Sequence, residues 1–150
     1  MKAFNVVLYL ITIVLMVSCQ KTEKEDVKFI KSEYEYRHNA PFSDATEYDD
    51  FLFLTGQIGK DHITQKLVEG GIQAETRQVL TNIKDVLEAN GSDLDHVLKC
   101  TVILSDINDF SEMNDVYKTY FPENKPARTT FGANLVGNAK IEIDVVAVKK

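Results

Sequence analysis

A chain of 150 residues that is 44% hydrophobic and 27% charged can bury one core and is too short for two ordinary domains. Its net charge of −6 repels phosphate backbones, which argues against a nucleic-acid partner. Two cysteines, Cys19 and Cys100, make no disulfide framework.

The first 18 residues stand apart. Lys2 precedes an uncharged, apolar run from Ala3 to Val17, followed at once by Ser18-Cys19 and a polar stretch, the layout of a secretory signal. The run is about 15 residues, short of the roughly 20 that a spanning helix needs, so cleavage is expected rather than permanent insertion. Leu15-Met16-Val17-Ser18-Cys19 resembles a bacterial lipobox, in which a small residue precedes a cysteine that is lipidated and becomes the new N-terminus. That resemblance implies a mature protein held by Cys19 at the bacterial cell envelope, on the periplasmic face or the cell surface. The other reading is an uncleaved signal anchor with Cys19 as a bystander. Cleavage removes one basic residue, Lys2, and leaves 16 Lys and Arg against 23 Asp and Glu, a formal charge of −7. Gln20 to Asp26 is charged and free of aromatic residues, a solvated tether. The expected organisation is a signal over 1–18, a tether over 19–27 and one folded domain over 28–150.

Val27 to Arg37 favours a strand, with Phe29, Tyr34 and Tyr36 among polar neighbours, until Asn39-Ala40-Pro41 breaks it. Asp44, Glu47, Asp49 and Asp50 read as a solvated loop rather than a cation site. Phe51 to Thr55, a continuous apolar run before Gly56, reads as a buried strand. From Ile72 to Asn90, the residues Ile72, Val79, Leu80, Ile83, Val86 and Leu87 recur at helical spacing, and Gly91 follows as a left-handed stop. Val97 to Leu104 alternates Leu98, Cys100, Val102 and Leu104 against Lys99 and Thr101, a strand with Cys100 as a small core residue. Asp109 with Glu112 three residues later predicts a capping box, opening a helix on Phe110, Met113, Val116, Tyr117 and Tyr120 that stops at Pro122. Two strands follow, Arg128 to Leu135 and Lys140 to Val148, separated by the turn-prone Val136-Gly137-Asn138. Two helices cannot cover both faces of such a sheet. An α+β layer with both helices on one face is expected, and a partner subunit is the natural cover for the other.

Thr55-Gly-Gln-Ile58, Lys99 to Phe110 (KCTVILSDINDF), Pro126-Ala-Arg-Thr-Thr130 and Lys140 to Val148 (KIEIDVVAV) resemble, in order, the signatures of the reactive intermediate deaminase (Rid, YjgF-like) family. The resemblance is colinear from about Ala40 to the C-terminus. It implies a chorismate-mutase-like α+β fold, a mixed sheet with two helices on one face, assembled as a homotrimer with pockets at the subunit interfaces. It implies hydrolytic deamination of 2-imino and 2-enamino acids, such as 2-aminoacrylate and 2-iminobutanoate, to 2-oxo acids and ammonia. Residue by residue, Arg128 matches the arginine that binds the substrate carboxylate and Glu142 the glutamate that positions the attacking water, while Asn114 and Gly56 fall on pocket positions. The chain departs from the family pattern at Phe42 (tyrosine in archetypal members), Thr55 (serine), Thr130 (cysteine) and Gly59 (proline); Phe42 bears on rate and substrate range.

The residues carry the same chemistry on their own terms. Alternation puts Arg128, Thr130, Gly132 and Asn134 on one face of their strand, and Glu142 with Asp144 opposite Ile141, Ile143, Val145 and Ala147. Both polar faces are expected to point to the uncovered side of the sheet. A guanidinium can hold a carboxylate bidentately, at about 1.5–3 kcal/mol per charge-assisted hydrogen bond when sheltered. Imine hydrolysis needs a held substrate and a delivered water. A carboxylate that takes the water proton is worth roughly 10²–10⁴-fold, and the Thr130 hydroxyl with backbone near Gly56 is placed to steady the carbinolamine. The expected cofactors are none and the expected metals none. Arg128 pairing with Glu142 or Asp144 as a structural ion pair is the competing reading. Asp144 reads as an exposed or intersubunit partner rather than a catalyst, and His38, His62 and His96 as isolated, solvated residues without metal-ligand spacing. The rival function is a non-catalytic module that binds small carboxylates in the same pocket. A nucleic-acid-directed activity is opposed by the charge.

Overall fold

The computed structural model describes residues 26–150, so the expected signal, Cys19 and most of the tether lie outside the described residues. The elements run β1 (Lys28–Ile30), β2 (Ala45–Tyr48), β3 (Phe51–Leu54), β4 (Gln57–Ile58), α1 (Gly71–Ala89), β5 (Val97–Leu104), α2 (Phe110–Tyr120), β6 (Ala127–Gly132) and β7 (Ile141–Val148). One sheet carries the strands in the order β1-β2-β3-β7-β5-β6, with β4 also paired to β7. Every pair is antiparallel except β5 with β6, which are parallel and joined through α2. Mixed sheets of this kind follow from helical crossovers added to hairpin connections: α1 carries the chain from β4 to β5, on either side of the pairing with β7, and α2 from β5 to β6.

Both helices pack on one face. Val79, Leu80, Ile83 and Leu87 of α1 and Met113 of α2 meet Leu52, Val102, Leu104, Ile141 and Ile143, all of them fully buried. Each such side chain contributes about 1.5–3 kcal/mol relative to exposure. β7 alternates as expected, with Ile141, Ile143, Val145 and Ala147 in the core and Glu142 and Asp144 on the other side. α1 ends as expected too: Gly91 takes a φ of +78°, a conformation that glycine enters without a Cβ clash. The α+β fold with its two helices on one face is therefore present.

Several local expectations give way to packing. The segment after Ile30 leaves the sheet, because the Ser32 hydroxyl accepts the Tyr34 N–H at 3.2 Å and a 3-10 turn forms over Glu35–Arg37. Of the acidic residues read as a loop, Glu47 instead lies in β2, buried between Lys28 (2.7 Å) and Lys149 (2.9 Å), and Asp44, just before the strand, is buried against Arg37 at 2.9 Å. Only Asp49-Asp50 turns, with Asp49 at a φ of +53°. The Phe51–Leu54 run is buried on one face alone; Phe51 and Phe53 look outward, 40% and 45% exposed. In β5 the pairing slips between Val97 and Lys99, and the extra residue, Leu98, is thrown to the surface while Cys100, Val102 and Leu104 keep the core. No capping box forms at α2. Asp109 makes no cap bond, and Asp106 caps the preceding turn by accepting the Asn108 N–H at 2.9 Å. β6 ends at Gly132 rather than Leu135.

Candidate functional site

Glu142 leaves the start of β7 on the face away from the helices, paired in register with Ile58 of β4. Gly56 lies directly beneath it: a Cβ there would collide with the carboxylate, so glycine is what lets the strand pass this close. Thr55, Gly56, Phe42 and Glu142 line one cavity of about 490 Å³, bringing together four residues singled out in the sequence. Burial, then the neighbouring Asp144, pushes the Glu142 carboxyl above the ordinary carboxylate range. No hydrogen bond or ion pair engages its side chain among the described residues, so the carboxylate is open to water or substrate.

The cavity has a second wall that sequence reasoning missed. Tyr36, from the turn after β1, meets His62, from the loop after β4: the Tyr36 hydroxyl lies 2.6 Å from His62 Nδ1, and the imidazole stacks on Tyr34 at 4.5 Å. His62 is thus neither isolated nor solvated. Burial, with the nearby Arg37, pulls its pKa down, which favours the neutral ring, whose Nδ1 shares a hydrogen bond with the tyrosine hydroxyl. Arg37 lies over the Phe42 ring at 5.5 Å and Lys60 over the Tyr36 ring at 4.9 Å. From α1, the buried Asn82 donates to the Ile58 and Lys60 carbonyls at 3.3 and 2.9 Å, clamping β4 and the start of the loop. The buried Glu75 accepts the Lys140 N–H at 2.8 Å. Gly59 is required by that helix, since a Cβ there would lie 2.6 Å from the Glu75 Cβ.

Arg128 lies elsewhere. Its register partner is Cys100, a core residue, and its guanidinium packs over the rings of Tyr117 (4.5 Å) and Phe110 (5.6 Å) on α2. Arg128 and Glu142 therefore point to opposite faces of the sheet, which corrects the expectation that both face the uncovered side. The same geometry removes the ion-pair reading: Arg128 forms no bridge to Glu142 or Asp144 among the described residues. Asn114 joins Arg128 and Tyr117 around a separate cavity of about 410 Å³. Thr130, in register with buried Val102, also turns toward the helices, and its Oγ1 is buried without a hydrogen-bond partner. Burial raises the Cys100 thiol to about 11, as suits a small core residue. His38 approaches the Ser32 carbonyl at 3.0 Å and His96 pairs with Asp93 at 2.6 Å. No group of three or more His, Cys, Asp or Glu is placed to hold a metal among the described residues.

Fold and geometry together define a small α+β protein with two separate cavities, one holding Glu142 and the other Arg128, whose side chains leave opposite faces of the sheet. The family model described as Endoribonuclease L-PSP matches residues 34–149. A 2-iminobutanoate/2-iminopropanoate deaminase of Bos taurus is 44% identical over 110 residues, covering 73% of this chain and 80% of the relative. A RutC family protein of Pyrococcus horikoshii is 48% identical over 111 residues, covering 73% and 88%. The crystal structure of the YjgF gene product of E. coli superposes with a TM-score of 0.75 at 30% identity, covering 82% of this chain and 99% of that one. The chain belongs to the Endoribonuclease L-PSP family, the Rid/YjgF family that its sequence resembles.

Proposed function

We propose that the protein hydrolyses reactive 2-imino and 2-enamino acids to 2-oxo acids and ammonia, in a homotrimer whose sites form between subunits. The observation that carries this reading is the open Glu142 carboxylate, raised in pKa and seated on Gly56 in a cavity whose one arginine, Arg37, is bound to Asp44. The fixed cation that an amino-acid-derived carboxylate needs, Arg128, sits on the other face at the edge strand β6. A second copy that lays its β6–α2 edge beside the first copy's Glu142 completes the site. The imine deaminase name of the 44% identical bovine relative supports the choice of reaction.

In that site Arg128 of one subunit holds the substrate carboxylate and Glu142 of the next orients a water. Glu142 takes a proton as the water oxygen bonds to C2 of the protonated imine. The carbinolamine collapses when that proton returns to nitrogen: the C–N bond breaks, ammonia leaves, and the hydroxyl proton passes to the freed Glu142 carboxylate and on to ammonia or solvent as the C2–O bond becomes the ketone. Arg128→Ala removes a contact used in ground and transition states alike, so kcat/KM and binding of an unreactive 2-oxo acid fall together. Glu142→Gln keeps binding while turnover of freshly generated 2-iminobutanoate drops about 10²-fold or more. Wild-type turnover in an assembled Glu142→Gln protein rejects the mechanism, and binding with no turnover in the wild type identifies a carboxylate-binding module instead.

We also propose that Cys19 carries a lipid and holds the domain at the cell envelope, on the strength of the short apolar run ending in Val17-Ser18-Cys19. Among the described residues no helix is long and apolar enough to cross a membrane. Metabolic labelling with a fatty-acid analogue should be lost in Cys19→Ala, and labelling that persists would reject this attachment point.

A further inference from the structure

We propose that Tyr36 and His62 form a side-chain subsite that fits the Glu142 cavity to imino acids bearing an aromatic side chain. The proposal rests on the hydrolase reading and names the substrate class for that same site.

Size is the first argument. A three-carbon imino acid displaces the volume of a few waters, roughly 100–150 Å³ at about 30 Å³ per water. The cavity of about 490 Å³ leaves most of its space to something larger, and falls in the range of sites that enclose drug-sized ligands.

The second argument is the character of the wall. Beyond Thr55, Gly56 and Glu142, the rings of Tyr36, Phe42 and His62 with Ala40, Ile58 and Val136 make up most of the wall, and Arg37, Gln57 and Lys60 complete it. The nearby cations are engaged: Arg37 is bound to Asp44 at 2.9 Å and lies over Phe42, and Lys60 lies over Tyr36. Because the Tyr36 hydroxyl is satisfied by His62, it makes no demand for a polar partner on the ligand. Ring surface dominates this wall, and an aromatic side chain meets it by offset or edge-to-face stacking.

The third argument is rigidity. The hydroxyl–imidazole bond and the Tyr34 stack fix the orientation of His62 from two directions. None of these three residues belongs to the hydrophobic core cluster, so core packing does not account for the arrangement. A preformed wall recovers more binding from contact because less side-chain freedom is lost.

The experiment uses the full-length protein with imines generated in situ from phenylalanine, alanine and glutamate by amino-acid oxidases. Hydrolysis is scored against trapping by semicarbazide, and dissociation constants are measured for phenylpyruvate and pyruvate. The wild type is expected to favour the phenylalanine-derived imine over the alanine-derived one by about tenfold or more in kcat/KM, a size of discrimination that apolar pockets reach. Tyr36→Ala and His62→Ala should each lower that ratio about tenfold, while Tyr36→Phe, which keeps the ring, retains most of it. A wild-type preference for the alanine-derived or glutamate-derived imine overturns the subsite. So does an equal loss on all substrates in the variants, the mark of a purely structural role. If no imine is turned over but phenylpyruvate still binds more tightly than pyruvate, and the alanine variants lose that preference, the hydrolase reading fails and the subsite stands.

Discussion

Glu142 is held neutral more readily than a solvated carboxyl because burial costs its anion hydration and Asp144 adds a like charge. For a general base the sign is direct. The ionised form is required, so kcat/KM falls as pH drops through a pKa above the ordinary value of 4.5. Asp144→Asn removes the like charge and lowers that pKa, so the acid limb of the kcat/KM profile should move to lower pH. An acid limb that stays in place, in a variant with wild-type assembly, would separate Glu142 from the proton-transfer step. The grouping of Glu142 with Gly56, Thr55 and Phe42 was legible in the sequence because alternation turns Glu142 from the core, the Thr55-to-Ile58 signature places Thr55 and Gly56, and the family resemblance alone points to Phe42. The direction of Arg128 was not. Alternation says which residues share a face, and only the pairing of β6 with β5 says which face that is.

At the scale of elements, the segment between β1 and β2 carries Tyr36 and Phe42 to the cavity, and the Arg37–Asp44 pair holds it there. Both side chains are nearly buried, 12% and 10% exposed, with the guanidinium over the Phe42 ring. Asp44→Ala leaves an uncompensated buried cation and should cost about 3–5 kcal/mol in chemical denaturation, with Arg37→Leu/Asp44→Leu recovering much of the loss. A cost below about 1 kcal/mol would mean that the segment is held by other contacts. This region read poorly from sequence for a physical reason. Its acidic residues are the usual mark of a solvated loop, and Asp44 and Glu47 are buried only because Arg37, Lys28 and Lys149, far apart along the chain, arrive to neutralise them. Leu98 misled in the opposite sense. A bulge adds one residue to the strand and reverses which side chains face inward, and no local pattern announces it.

At the scale of the molecule, the sheet face opposite the helices, which also carries Glu142, bears Phe51, Phe53 and Phe131, each 40–45% exposed. Apolar side chains of this size on one uncovered sheet face call for a partner. Light scattering should give close to three times the mass of one chain, and a stable monomer at micromolar concentration would remove the intersubunit site. A sharper test mixes two inactive proteins. If each site takes Arg128 from one subunit and Glu142 from the next, every mixed trimer of Arg128→Ala and Glu142→Gln chains holds one intact site. Co-refolded in equal amounts, they should regain about a quarter of wild-type activity, because three quarters of the trimers are mixed and one site in three is whole. No recovery, with mixed trimers present, would place both residues in sites built from single chains.

Hydrophobic period by itself determined the two helices, the alternation of β7 and hence the α+β class, because burial on one face leaves a repeat in the order of residues. It also determined that Glu142 faces away from the core. Tertiary structure alone decided that Arg128 looks the other way, that Tyr36 meets His62 across 26 positions of sequence, and that Asp44 and Glu47 are buried. Each of these depends on groups brought together from distant segments: a strand register, an aromatic stack, an ion pair. Such contacts carry no period along the chain, and the site they build exists only once the sheet has formed.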